Sequence, residues 1–231
     1  MPYYYGFDRT YILVLIGLII TMIAQANVQR AFAKYSKIPT KKQITGKQTA
    51  NYILDTRGYN DIKIKQINNA MGDYFNPATK EVALSPQSIN DTSIASVAVA
   101  AHELGHVIQY KEGYTPLRIK SWLVPAVNFG SRLSFPLLFL GMFLASQNLI
   151  DIGLILFSLT LIFQVVTLPV EFNASRRALR VLEESGMLVG EENTYAANML
   201  KAAAYTYVAA TLTTALQFLR MFLLFGNRNR D

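Results

Sequence analysis

The sequence predicts a mainly α-helical membrane protein, with about four transmembrane helices and a small cytoplasmic α+β domain that carries an HExxH motif on a helix. Three observations lead to this expectation. Charged residues make up only 16% of the chain, against about 25% in soluble domains. Several charge-free stretches approach the roughly 20 residues that a helix needs to cross a bilayer core. The only two histidines among 231 residues stand four apart, in His102-Glu103-Leu104-Gly105-His106.

The first element is a membrane anchor over residues 1–28. From Thr10 to Val28 there are 19 residues without a charge. Ala24-Gln25-Ala26 resembles a signal-peptide cleavage site, but Asp8 cancels Arg9 in the leader, and a signal peptide starts with net positive charge. The positive residues follow instead (Arg30, Lys34, Lys37, Lys41, Lys42), which predicts an uncleaved anchor with its C-terminal end in the cytoplasm.

Residues 29–121 read as a cytoplasmic domain, compact from about residue 40. Thr45-Gly-Lys-Gln48 is a capping box and Gly58 a suitable stop for the helix between them. Ile62–Ile67 and Lys80–Ser85 alternate as half-buried strands do, and Asn76-Pro77 marks a turn. The two strands predict a small hairpin sheet beside the motif, one edge of which could pair with an extended peptide. Asn90–Ser93 offers N-caps for a helix running from Ile94 to about Tyr110, ended by Gly113 and Pro116. Four alanines between positions 95 and 101 keep this helix slim.

Residues 122–170 predict a transmembrane hairpin. There are 18 uncharged residues between Arg132 and Asp151 and 19 between Asp151 and Glu171, with a tight turn near Gln147-Asn148. A span starting as early as Trp122 places Asn128 and Arg132 on one face, within or just beneath the bilayer. An arginine there is costly unless it pairs or lines a cavity. Residues 171–201 form a polar helical stretch, and residues 202–231 a final transmembrane or interfacial helix that Arg220 interrupts, with Arg228 and Arg230 beyond it. Lysine and arginine number 13 in segment 29–121 and 4 in segment 171–201, against one in the 1–9 leader and none in the 146–151 turn. The positive-inside rule therefore puts the HELGH domain and the 171–201 stretch on the cytoplasmic side of the cell membrane.

Composition also excludes some classes of function. The net charge of +7 suits basic cytoplasmic loops, and no run interleaves basic and aromatic residues as single-strand nucleic-acid binders do. A transporter of metal cations needs acidic groups in its spans, whereas these carry Arg132 and Arg220. There is no cysteine, so any metal must be held by His, Asp or Glu.

The chemistry centres on the histidine pair. Residues i and i+4 share one helix face, so His102 and His106 can reach a single ion with Glu103 beside it. For this composition a random HExxH is expected in only roughly 3 of 10,000 chains. Two imidazoles and a carboxylate leave zinc an open position for water, and Glu103 is placed to take that water's proton. For the third ligand Glu171 is the first choice, because it ends a span and begins a helix on the motif's side of the membrane. Glu81 is the main rival, while Asp91 and Glu112 sit on the histidines' own element. The competing reading is a non-catalytic membrane protein whose metal braces a partner interface. Such a site has no need of Glu103.

Over nearly the whole chain the sequence resembles the bacterial membrane-embedded neutral zinc metallopeptidases of the YugP type, and more distantly the gluzincin proteases. The resemblance rests on Asp73-Tyr-Phe-Asn-Pro77, Ser93–His106, Val124–Ser131 and Leu168-Pro-Val-Glu-Phe-Asn-Ala-Ser-Arg-Arg-Ala178. It implies a zincin-like metallopeptidase domain, one zinc ion held by His102, His106 and Glu171, and a peptide or protein substrate near the membrane surface. One departure stands out. Gluzincins often place an acid four residues after the ligand glutamate to orient a histidine, and here that position is Ser175. Asn173 or a backbone carbonyl is then expected to do the orienting. For stabilising the reaction's oxyanion, the candidates are Asn128, Arg132, Arg176 or a tyrosine such as Tyr205.

Overall fold

A computed structural model describes residues 8–69 and 72–225; Arg228 and Arg230 lie outside them. The elements in chain order are α1 (Tyr11–Tyr35), α2 (Gly46–Thr56), β1 (Lys63–Gln66), β2 (Tyr74–Asn76), β3 (Glu81–Leu84), α3 (Pro86–Asn90), α4 (Ile94–Lys111), α5 (Thr115–Phe143), α6 (Gln147–Glu184) and α7 (Glu191–Phe225). They build two compact units, one from Met1–Ala24, Ile119–Thr167 and Thr206–Asp231, the other from Gln25–Arg118 and Leu168–Tyr205.

The first unit holds the apolar parts of α1, α5, α6 and α7, four helices long and apolar enough to cross a membrane. In their most apolar windows only 11–22% of residues are buried in the protein, so these helices present apolar surface nearly all round, as lipid-facing helices do. Close approach uses small residues, as in other membrane helix pairs. A methyl group on Gly141 would lie 2.8 Å from Ile150, and one on Gly153 2.8 Å from Leu138. The Thr213 hydroxyl donates to the Gly17 carbonyl at 3.0 Å. The hairpin turn falls at 144–146, just before the expected Gln147-Asn148, with Ala145 at φ 51°. Arg220 does not interrupt the last helix. It pairs with Asp8 at 3.3 Å and stacks over the Tyr11 ring, so its charge is matched within a continuous α7.

The second unit is organised around α4. Ala98, Ala100, Ala101, Leu104 and Val107 are fully buried, among residues of α2, β3, α6 and α7. The helix starts as its sequence requires, with the Ser93 side chain accepting from the Ser96 N–H. The capping box of α2 is present, and Gly58 beyond its C-cap takes φ +66°. The α4 helix ends at Lys111 before Gly113, while Pro116 falls in the first turn of α5 rather than acting as a stop.

The sheet differs from the expected hairpin of two strands. It has three strands in the order β1-β3-β2. The two predicted strands, β1 and β3, run parallel, with Ile64 opposite Val82. The hairpin is between β2 and β3, with Phe75 opposite Val82, and the Asn76-Pro77 turn closes it. Two parallel neighbours need a longer connection than a tight turn, and the chain between them is used to add β2. The polar 171–201 stretch is likewise not one helix. It divides between the end of α6 and the start of α7 around Gly186, at φ +61°, and Gly190, at φ +63°.

One close helix contact in this unit involves the motif itself. A methyl group on Gly105 would lie 2.4 Å from the Ala174 carbonyl oxygen, a distance no real contact allows, so α4 and α6 meet backbone to backbone. Gly105→Ala should push the helices apart and cost about 1–3 kcal/mol. Thermal denaturation of the purified full chain should show a lowered midpoint.

Candidate metal centre

Both histidines project from α4 towards α6, and Glu171 projects back. His102 Nε2 lies 3.4 Å from Glu171 Oε2 and His106 Nε2 lies 3.5 Å from the same oxygen. Tetrahedral zinc with bonds of about 2.0–2.1 Å holds its ligand atoms about 3.3–3.4 Å apart. The three ligand atoms lie within 4.8 Å of one another, and the chemistry of the set, two imidazoles and a carboxylate, suits zinc. The residues present therefore fit the ion.

The tautomers follow from the surrounding hydrogen bonds. The Val170 carbonyl can only accept, so the Gln109 group facing it at 2.8 Å must be the amide nitrogen. The same nitrogen donates to Asn173 Oδ1 at 2.9 Å. That leaves the Gln109 carbonyl oxygen facing His106 Nδ1 at 3.0 Å, so Nδ1 carries the proton and Nε2 keeps a free lone pair towards Glu171. On the other histidine, Ser175 Oγ sits 3.1 Å from His102 Nδ1 and can accept its proton. Each ligand ring is thus fixed through its other nitrogen, as metal-bound histidines generally are.

This arrangement corrects one expectation. Ser175 itself contacts His102, so a hydroxyl stands at the position noted above for lacking an acid. Asn173 acts one step further out. It receives the Arg177 Nε–H at 2.6 Å and holds Gln109, and it is Gln109 that touches His106. Sequence reasoning missed Gln109. It lies three residues after His106 on the same helix face and is fully buried, a weak signal for a residue type common on any helix.

Glu103 is 7% exposed. Burial pushes its carboxyl up to about 7, the Glu171 and Asp73 carboxylates add to the rise, and His102 and the Phe75 backbone N–H oppose it. A carboxyl group titrating near neutrality can both accept and return a proton at working pH.

The other candidates lie elsewhere. Glu81, at the start of β3, accepts from the Thr79 hydroxyl, Glu112 pairs with Arg177, and Asp91 caps α3; none joins the histidines. Arg176 lines a groove with Arg57, Arg177 and Arg180. Tyr205 stands under the Lys201 ammonium. Asn128 and Arg132 are on the part of α5 that belongs to the first unit.

A cluster of two histidines and one glutamate on a pair of packed helices, with four membrane-length apolar helices among the described residues, is that of a candidate membrane metalloprotein. Comparison with known proteins narrows this. Residues 10–226 match the family model described as "Putative neutral zinc metallopeptidase". The chain is 42% identical over 205 residues to the "Putative membrane protease YugP" of Bacillus subtilis (strain 168), covering 88% of this chain and 91% of that one. No solved structure matches. The chain belongs to the neutral zinc metallopeptidase family.

Replacing Gln109 with alanine removes the group that fixes the His106 ring while leaving every ligand atom in place. Zinc affinity, measured by competition with a chromogenic chelator, should fall about 10–100-fold.

Proposed function

We propose that this protein is a membrane-bound zinc-dependent metalloendopeptidase whose active site faces the cytoplasm. The observation that supports it best is the meeting of His102, His106 and Glu171 around one point, with the buried Glu103 carboxyl on the next residue of the same helix. His102 and His106 would hold the ion through Nε2, and Glu171 through its carboxylate. Zinc, when bound, polarises the scissile carbonyl and makes an attacking water more acidic. Glu103 takes the proton from that water and returns it to the leaving amine.

The sheet supports a peptide substrate. In the order β1-β3-β2, β2 is an edge strand, and the Phe75 N–H on it donates to Glu103. An extended peptide added along that edge would run past the proton-transferring carboxyl. The cytoplasmic orientation rests on the 13 basic residues of segment 29–121 and the 4 of segment 171–201. Substrates are then peptides or proteins at the inner membrane surface.

The test is cleavage of casein or a quenched peptide by detergent-solubilised full chain, with Glu103→Gln compared at equal zinc content. The variant should lose about 10²–10⁴-fold in rate. Equal rates would remove Glu103 from this role. Zinc-loaded wild type that cuts nothing would favour a non-catalytic metal site bracing a partner interface.

A further inference from the structure

A second polar site lies in the same unit as the metal centre, on elements the peptidase reading does not use. It is a groove of about 360 Å³ between α1 and α7. The two helices line it with stripes of the same spacing. On α1 the stripe is Asn27, Arg30, Ala31 and Lys34; on α7 it is Asn198, Lys201, Ala202 and Tyr205. Positions i, i+3, i+4 and i+7 share one helix face, so each stripe presents an amide, a cation and a small alanine to the groove. Ala202 is 5% exposed.

The groove is strongly cationic. Arg30, Lys34 and Lys201 line it together with no carboxylate, and among the described residues none of the three forms an ion pair. The two ammonium groups rest on aromatic faces instead: Lys34 Nζ is 5.2 Å from the Tyr35 ring centre and Lys201 Nζ 5.8 Å from that of Tyr205. Three cations and two asparagine amides line one small groove that holds no carboxylate. A phosphate group supplies the acceptor oxygens and the negative charge.

The helices also fix the level at which this occurs. On α1 the charge-free run from Thr10 ends at Gln29, and Lys34 lies about 7.5 Å further along the axis. On α7, Lys201 directly precedes 18 uncharged residues, 202–219. Both stripes therefore lie at the polar end of a membrane-length apolar run, which is the headgroup layer of a bilayer. A tyrosine in each helix marks the same level. Basic pockets between transmembrane helices on the cytoplasmic side are suited to anionic headgroups. We infer that the α1–α7 groove binds the phosphate headgroup of an anionic phospholipid through Arg30, Lys34 and Lys201. This holds whether or not the metal centre hydrolyses peptides.

The experiment uses the full chain in neutral phosphatidylcholine nanodiscs, titrated with phosphatidylglycerol and then stripped for native mass spectrometry of retained lipid. The triple variant Arg30→Gln, Lys34→Gln, Lys201→Gln should retain roughly tenfold less phosphatidylglycerol than wild type. Its thermal midpoint in neutral lipid alone should be unchanged, because the three side chains are exposed. The charge-keeping variant Arg30→Lys, Lys34→Arg, Lys201→Arg should retain the lipid. A control that removes three exposed charges elsewhere, Lys37→Gln, Lys63→Gln, Lys65→Gln, should behave as wild type. Equal loss in that control would overturn the site in favour of general attraction to the surface. Displacement of the lipid by millimolar inorganic phosphate would assign the groove to free phosphate and overturn the phospholipid.

Discussion

The contact on which the site depends is the backbone approach of α4 to α6 at Gly105. With Ala174's carbonyl oxygen 2.4 Å from where a methyl would stand, no residue but glycine lets the helices come this close. Around that point the two helices exchange their polar groups within about two turns. Glu171 reaches both histidines, Ser175 reaches His102, and Gln109 reaches back to the Val170 carbonyl. Each contact is short because the helix axes are close. Moving α6 outward would lengthen all of them together, so Gly105 is as much part of the candidate metal centre as the histidines are.

This geometry ties the metal centre to the apolar part of the chain. Glu171 directly follows the 19 uncharged residues 152–170 and lies on the same unbroken α6. The ligand-bearing turn is thus the continuation of a membrane-length helix. In the unit that holds the site, the buried alanines of α4 pack against α6 and α7 as well as α2. A fragment limited to residues 29–121 has the histidines and Glu103 but neither Glu171 nor the wall formed by Ala174 and Ala178.

Much of this was legible in the sequence, and the reasons differ by residue. The histidine pair was legible because helical periodicity alone places i and i+4 together. That Glu171 would come near the histidines was legible from chain order, as the first charge after a long apolar run. The two predicted strands, β1 and β3, had the right residues, but their pairing was hidden. Tyr74-Phe75-Asn76 is too short to show alternation, and without it a parallel pair reads as a hairpin. Gln109 was hidden for a different reason. Its role depends on a carbonyl 61 residues away, and nothing in a helical glutamine signals that partner. Ser175 was noticed as a missing acid, when a hydroxyl at that position is sufficient to contact the ring nitrogen. Arg220 looked like a helix break because a charge in an apolar run is costly, and Asp8 at the other end of the chain removes that cost.

The central claim is that one metal ion is shared between α4 and α6 through Glu171. The most direct measurement is zinc content and affinity of the full-length Glu171→Ala protein, purified in detergent beside wild type. The account predicts one zinc per wild-type chain and loss of tight binding in the variant, with its helical content retained. Unchanged zinc binding in Glu171→Ala would contradict it and return the third ligand to another carboxylate, with Glu81 the first to examine.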